Sequence, residues 1–315
     1  MEPRLFAEAD NASFLQSRLD AYAGKRAAAI ESAKRQELVY RSQPDVDPVE
    51  QYDLAIWLGE LQMQEANYVE ALRHFDEGLA ICVRAGLADA RQRYAAHGQR
   101  DAEAMRTLSA EVSESWSRIR DDFKTAKERM SAGDYRGSTE LVERAVQAVR
   151  SVSGIPAAER AEQLRAASEL WISLGNYRTA CRLAHEARAE LWEVNNQEDT
   201  RGSFAVFVQL AECETQLGDF SASLEYSERA LATGQFQIGS HPRSQIRARL
   251  HLATAFHLLD RSEEAINACK IAIEEVEQLY GPKSCVRAIP LSRLGRTYTD
   301  LQKLDQAEEL LKQSY

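Results

Sequence analysis

Leu108, Val112, Trp116, Ile119 and Phe123 follow one another at spacings of three and four, which marks a helix with one apolar face. A longer period lies over this short one. Asn67-Tyr68-Val69-Glu70-Ala71, Gly133-Asp134-Tyr135-Arg136-Gly137-Ser138, Gly175-Asn176-Tyr177-Arg178-Thr179-Ala180 and Gly218-Asp219-Phe220-Ser221-Ala222-Ser223 each read as a turn followed by a helix start. Weaker copies end at Ala265 and Ala307. With the small residue as anchor, the copies fall at 71, 138, 180, 223, 265 and 307, and the last four steps are 42, 43, 42 and 42 residues.

Other columns of the same register support it. Twelve residues before the anchors lie Gly59, Ala126, Ser168, Ala211, Ala253 and Gly295, and seven after them lie Gly78, Ala145, Ala187, Ala230, Ala272 and Ser314. All are small, as the crossing points of two antiparallel helices require. Tyr68, Tyr135, Tyr177 and Phe220, three before the anchor, are expected to fill the wedge beside each crossing. Pro48, Pro156, Pro242 and Pro282 fall 23 to 25 residues before the next anchor, where they mark turns between helix pairs, and Pro290 suits a first helical turn.

Leu58-Gly59, Tyr68, Ala71, Phe75 and Gly78 in the first unit, and Leu291, Leu294-Gly295, Tyr298 and Ala307 in the last, resemble the tetratricopeptide repeat. The resemblance covers residues 52–85 and about 119–315. The 42-residue period and the turn Leu279-Tyr280-Gly281-Pro282 resemble the longer-helix variety of kinesin light chains. It implies an all-α fold, a right-handed α-solenoid of stacked helix-turn-helix pairs. The expected organisation is an N-terminal helical segment over 1–48, a degenerate repeat or a cap, with Ala29 one period before the first anchor. A first unit over 49–87, a long helix plus second unit over 88–155, and four units over 156–315, the last uncapped, complete it. The stretch 88–130 has no proline and one glycine, Gly98, and carries nine basic against eight acidic residues. It is read as one long amphipathic helix or a helix broken near Gly98.

Composition narrows the function. A net charge of -10 argues against general nucleic-acid binding, and no apolar window of membrane-spanning length occurs. Met1-Glu2-Pro3-Arg4 leads into polar sequence, so a cytoplasmic protein without membrane insertion is expected. Cys82, Cys181, Cys213, Cys269 and Cys285 show no zinc-finger spacing and are read as buried thiols. His251 and His257 are six apart, on different sides of a helix, while His74, His97, His185 and His241 have no partners nearby in sequence. Trp57, Trp116, Trp171 and Trp192 suit core packing. No phosphate loop, nucleophile elbow or metal motif is found, so neither catalysis nor a cofactor or metal is expected.

Function is then expected on the concave face, formed in this family by outward positions of each first helix. These are Ile56, Glu60 and Met63; Arg165, Glu169 and Ile172; Val208, Glu212 and Thr215; Leu250, Thr254 and His257; and Ser292, Arg296 and Thr299. Ile56 and Glu60 do not match the basic pattern of chaperone-tail clamps, and the groove lacks the asparagines of kinesin light chains. The expected role is a non-catalytic scaffold that binds a protein or peptide. Alternatives are a structural subunit of a cytoskeletal or ciliary assembly and a ligand- or peptide-sensing solenoid of a larger protein. Leu310 and Leu311, in a last helix with no successor in this sequence, are expected to dock another chain, a second copy or further residues beyond Tyr315. The register itself is testable: Ala180→Leu is expected to overpack a helix crossing and lose about 1–3 kcal/mol. An unchanged thermal midpoint would break the register.

Overall fold

The computed structural model describes residues 12–22, 25–43, 45–194, 203–234, 242–282 and 284–314, and these contain helices and turns and no strand. The helices are α1 Ala12–Tyr22, α2 Arg26–Ser42, α3 Pro48–Gln64, α4 Tyr68–Ala85, α5 Asp89–Arg106, α6 Ala110–Ser131, α7 Tyr135–Ser151, α8 Ala157–Ser173 and α9 Tyr177–Val194. They continue as α10 Ser203–Leu217, α11 Phe220–Gly234, α12 Pro242–Leu258, α13 Ser262–Tyr280, α14 Ala288–Asp300 and α15 Leu304–Gln313. None is long and apolar enough to cross a membrane. The described residues divide into two compact units, one up to residue 113 and one from residue 114, with the short segment 154–156 grouped with the first.

One contact defines the helix pairs. Ser168 Oγ on α8 donates to the carbonyl of Ala180 on α9 at 2.9 Å, and Ser223 Oγ on α11 donates to the carbonyl of Ala211 on α10 at 2.9 Å. Ser17 Oγ on α1 donates to the carbonyl of Ala29 on α2 at 2.6 Å, so the N-terminal segment makes the same crossing twelve residues apart. Ala29, Ala180 and Ser223 are fully buried. A larger side chain would separate the backbones and strand these buried hydroxyls.

The turn inside each pair is equally regular. Five residues before the anchors, Gly133, Gly175 and Gly218 take φ of 84, 75 and 90°, and Ala66, Asp260 and Gln302 take φ of 58, 59 and 59°. The geometry is thus the same in all six, with strain accepted where the residue is not glycine. Asp134, Asn176 and Asp219 follow, and their side chains accept from the amides of Gly137, Thr179 and Ala222, which caps the second helices. The aromatic column opens those helices. Tyr135, however, is 59% exposed and fills no wedge, contrary to expectation.

The 88–130 stretch is not one helix, and it does not break at Gly98. The break is at residues 107–109: the Thr107 hydroxyl returns to the carbonyls of Glu103 and Ala104, and Ser109 Oγ accepts from the amide of Val112. Gly98 sits in mid-helix, where an added Cβ would lie 2.4 Å from the Phe75 ring. That ring also abuts Gly59, 2.9 Å from a Cβ there, and is fully buried. Phe75 of α4 is therefore clasped between α3 and α5. Tyr52 Oη donates to the carbonyl of Arg91 at 2.9 Å, and Gln99 Nε2 donates to Asp76 at 2.6 Å, which completes the three-helix arrangement.

Of the tryptophans, Trp57, Trp116 and Trp171 are buried, while Trp192 is half-buried under the Arg188 guanidinium. Four cysteines are buried and Cys285 is exposed, which corrects the expectation of five buried thiols. A helical glycine replaced by alanine ordinarily gains about 1 kcal/mol. Gly98→Ala is expected to do the reverse, because overpacking costs about 1–3 kcal/mol and Phe75 has no room to retreat. A raised thermal midpoint would contradict the clasp.

Candidate functional site

The expected groove residues divide by burial. Ile56, Met63, Val208 and Leu250 are at most 8% exposed and belong to the core, which corrects their assignment to an open face. Ile56 fills the space left by Gly78, whose Cβ would lie 2.9 Å from Ile56 Cδ1. Glu60 accepts from the Tyr94 hydroxyl of α5, so this α3 position faces a neighbouring helix and not an open groove. Leu310 packs with the cluster around Leu252, Phe256 and Leu294, and Leu311 lies against Gly295. These two leucines are half-buried rather than a bare strip. His241 lies outside the described residues.

The remaining positions form a continuous face in the second unit, where α8, α10, α12 and α14 stand side by side. One side-chain link joins each neighbour to the next. Gln209 Nε2 donates to the carbonyl of Arg165 at 3.2 Å, Arg247 Nη2 donates to Glu212 at 2.7 Å, and His257 Nε2 approaches Asp300 to 3.1 Å. Arg165 itself is held between Glu162 and Glu169. Ile172 is half-buried, Thr215 and Thr254 return their hydroxyls to carbonyls one turn back, and Thr299 does the same to Gly295. Ser292 and Arg296 are exposed on α14.

The centre of this face is a polar cluster around His251. The ring is 8% exposed, its Nε2 lies 3.9 Å from Glu212, and its Nδ1 is buried without a hydrogen bond. Burial first, then the positive charges of Arg247 and Arg293, push its pKa down to about 3. Arg293 is held below its ordinary value mainly by burial, and the charge of Arg296 adds to this. Neither Arg293 nor Arg296 has an acidic partner within ion-pair distance among the described residues, since the nearby Glu212 is bonded to Arg247.

His251 and Arg293 were missed in the sequence, although the period reaches them. Gln209, His251 and Arg293 occupy one column, fourteen residues before the anchors 223, 265 and 307. A polar residue recurring at a largely buried position was the available signal.

The His251 geometry has a pH consequence of definite sign. The unfolded histidine takes up a proton near its ordinary 6.5 and the folded one only near 3, so the unfolded state binds more protons in between. Stability from this group is complete above 6.5 and is lost as pH falls through that window. Asp53 in the first unit, raised to about 7 by burial, acts in the opposite sense, so parent and variant must be compared. His251→Gln is expected to flatten the fall in stability between about pH 6 and 4 by up to roughly 1.4 kcal/mol per pH unit. Identical slopes in urea denaturation would contradict the assignment.

Comparison with known proteins agrees with this architecture. Residues 244–315 match the tetratricopeptide repeat family profile. No curated protein matches the sequence. Among solved structures, a protein of Podosopora anserina described as a kinesin light chain with nearly identical TPR-like repeats is similar over 63% of this chain and 93% of its own, at 18% identity and a TM-score of 0.55. BtubC (BKLC) from P. vanneervenii is similar over 72% of this chain and 90% of its own, at 16% identity and a TM-score of 0.55. The fold is that of stacked tetratricopeptide-like helix pairs, and the C-terminal repeats, residues 244–315, match that family itself.

Proposed function

We propose that this chain is a non-catalytic scaffold that holds an acidic segment of a partner protein against the face formed by α10, α12 and α14. The observation that carries this reading is the pair Arg293 and Arg296. Burial first and the charge of Arg296 hold Arg293 below its ordinary value although Cys269 and Glu212 pull the other way, and neither arginine has an acid in ion-pair distance among the described residues. An isolated protein gains nothing from that arrangement. A carboxylate arriving from a partner would relieve the repulsion and accept forked hydrogen bonds.

The surroundings suit an extended segment. Glu212, Arg247 and His251 are locked by mutual contacts, so the polar floor is formed before binding. Ser292 and Thr299 flank Arg296 on the same helix and offer further hydroxyls. The net charge of -10 means that these arginines form a local positive patch on an acidic molecule, which favours discrimination over general anion attraction.

The test is an array of acidic peptides read by fluorescence anisotropy with the full-length protein. Selected peptides should lose at least tenfold in affinity with Arg293→Ala/Arg296→Ala, and should weaken as salt rises. Arg178→Ala, exposed on α9, should bind as the parent does. Equal binding by the double variant would overturn the reading.

A further inference from the structure

The contact between α9 and α10 carries a second cluster, unrelated to the arginine face. Cys181 and His185 lie four residues apart on α9 and so share one side of that helix. Glu214 reaches them from α10. Cys181 Sγ lies 3.2 Å from Glu214 Oε1, and His185 Nε2 lies 3.7 Å from the same oxygen. One ligand atom from each residue falls within 4.8 Å of the other two.

These separations suit a single ion. Metal–ligand lengths of about 2.3 Å to sulfur, 2.05 Å to nitrogen and 2.0 Å to oxygen around a tetrahedron imply ligand–ligand edges of about 3.5 Å for sulfur–oxygen and about 3.3 Å for nitrogen–oxygen. Both observed edges are within half an ångström of those values. The donor set of one thiol, one imidazole and one carboxylate matches a borderline-soft divalent ion and is a poor match for calcium or magnesium, which prefer oxygen alone.

A comparable triad in the first unit shows what a blocked site looks like. Glu37, His74 and Glu77 also converge, but Arg41 and Arg73 lie among them, and Arg73 Nη2 is 2.8 Å from His74 Nε2. The arginines already supply the positive charge there. Glu214 has no arginine or lysine in ion-pair distance among the described residues; its partners are the thiol and the imidazole. The thiol is neutral in the metal-free protein, with burial first and Glu214 second pushing it up to about 12. Cys181 Sγ then donates a hydrogen bond to Glu214 Oε1.

We infer that Cys181, His185 and Glu214 form a binding site for a zinc-class divalent metal ion that bridges the second helix of one repeat to the first helix of the next. On binding, the Cys181 S–H bond breaks, its proton leaves to solvent, and the sulfur bonds the ion in place of its hydrogen bond to Glu214. The fourth coordination position is open to water or to another donor, because the described residues supply three ligands. His185 is exposed, so the ion has a route in from solvent. The site escaped the sequence scan because its members come from two repeats, 33 residues apart between Cys181 and Glu214.

Cobalt(II) is the probe. Titrated into the metal-free full-length protein under reducing conditions, it should saturate at one equivalent with thiolate-to-cobalt charge-transfer absorption and intense tetrahedral ligand-field bands, and zinc should displace it. Cys181→Ser should abolish the charge-transfer band, and Cys285→Ser, at the exposed cysteine, should retain it. His185→Ala changes an exposed side chain, so it should keep its helical circular dichroism while binding cobalt at least tenfold more weakly. Zinc should raise the thermal midpoint of the parent and not that of His185→Ala. Absence of saturable binding, or a thiolate band that persists in Cys181→Ser, would overturn the site.

Discussion

The close approach of two helices at a pair of small residues is the contact on which the other features rest. Where Ser168 meets Ala180, and Ala211 meets Ser223, a serine hydroxyl bonds the facing backbone carbonyl, which is possible only if no larger side chain intervenes. That contact sets the distance between paired helices. The left-handed residue five positions before each anchor then reverses the chain at a constant place, whether it is Gly175 or the strained Gln302. With pair geometry and turn geometry both constant, first helices fall beside first helices. A side chain on one first helix therefore reaches the neighbouring first helix, as Arg247 reaches Glu212.

This regularity explains what could be read from the sequence. The pairs α8–α9 through α14–α15 follow from the anchors because a small residue at a crossing has no substitute, and its period survives where the aromatic column drifts to Ser262 and Leu304. The inserted α5 was not legible in the same way. Its boundary depends on Thr107 and Ser109, short polar side chains that compete for backbone groups and look unremarkable in a balanced charged stretch. Gly98, which looks like a helix breaker, instead marks the place where Phe75 needs room. A three-helix contact is not encoded in the periodicity of any one helix.

The site was legible only in part for a related reason. Taking outward positions from a family pattern found Glu212, His257 and Arg296, and it also selected Ile56, Met63, Val208 and Leu250, which are buried; Ile56 packs on Gly78 of α4 and Leu250 on Ala272 and Val276 of α13. Charge then separates the polar positions that remain. Arg165, Arg247 and His257 have acidic neighbours in ion-pair distance and serve the ladder between first helices, while Arg293 and Arg296 have none in ion-pair distance among the described residues. A partly buried arginine beside a second, exposed one is a feature that folding alone would not favour, and its natural complement is an external anion. Cys181, His185 and Glu214 illustrate the same limit, since proximity across repeats is a property of the stack.

Site-specific photocrosslinking measures the central claim most directly, because it reports which face a partner occupies. A photoreactive amino acid at Ser292, exposed beside Arg293 and Arg296 on α14, is compared with one at Lys270, exposed on the second helix α13. The account predicts that Ser292 captures a partner segment rich in aspartate and glutamate from the native source, and that Arg293→Ala/Arg296→Ala abolishes this capture. Capture confined to Lys270, or of a segment without acidic residues that survives the double substitution, would contradict it.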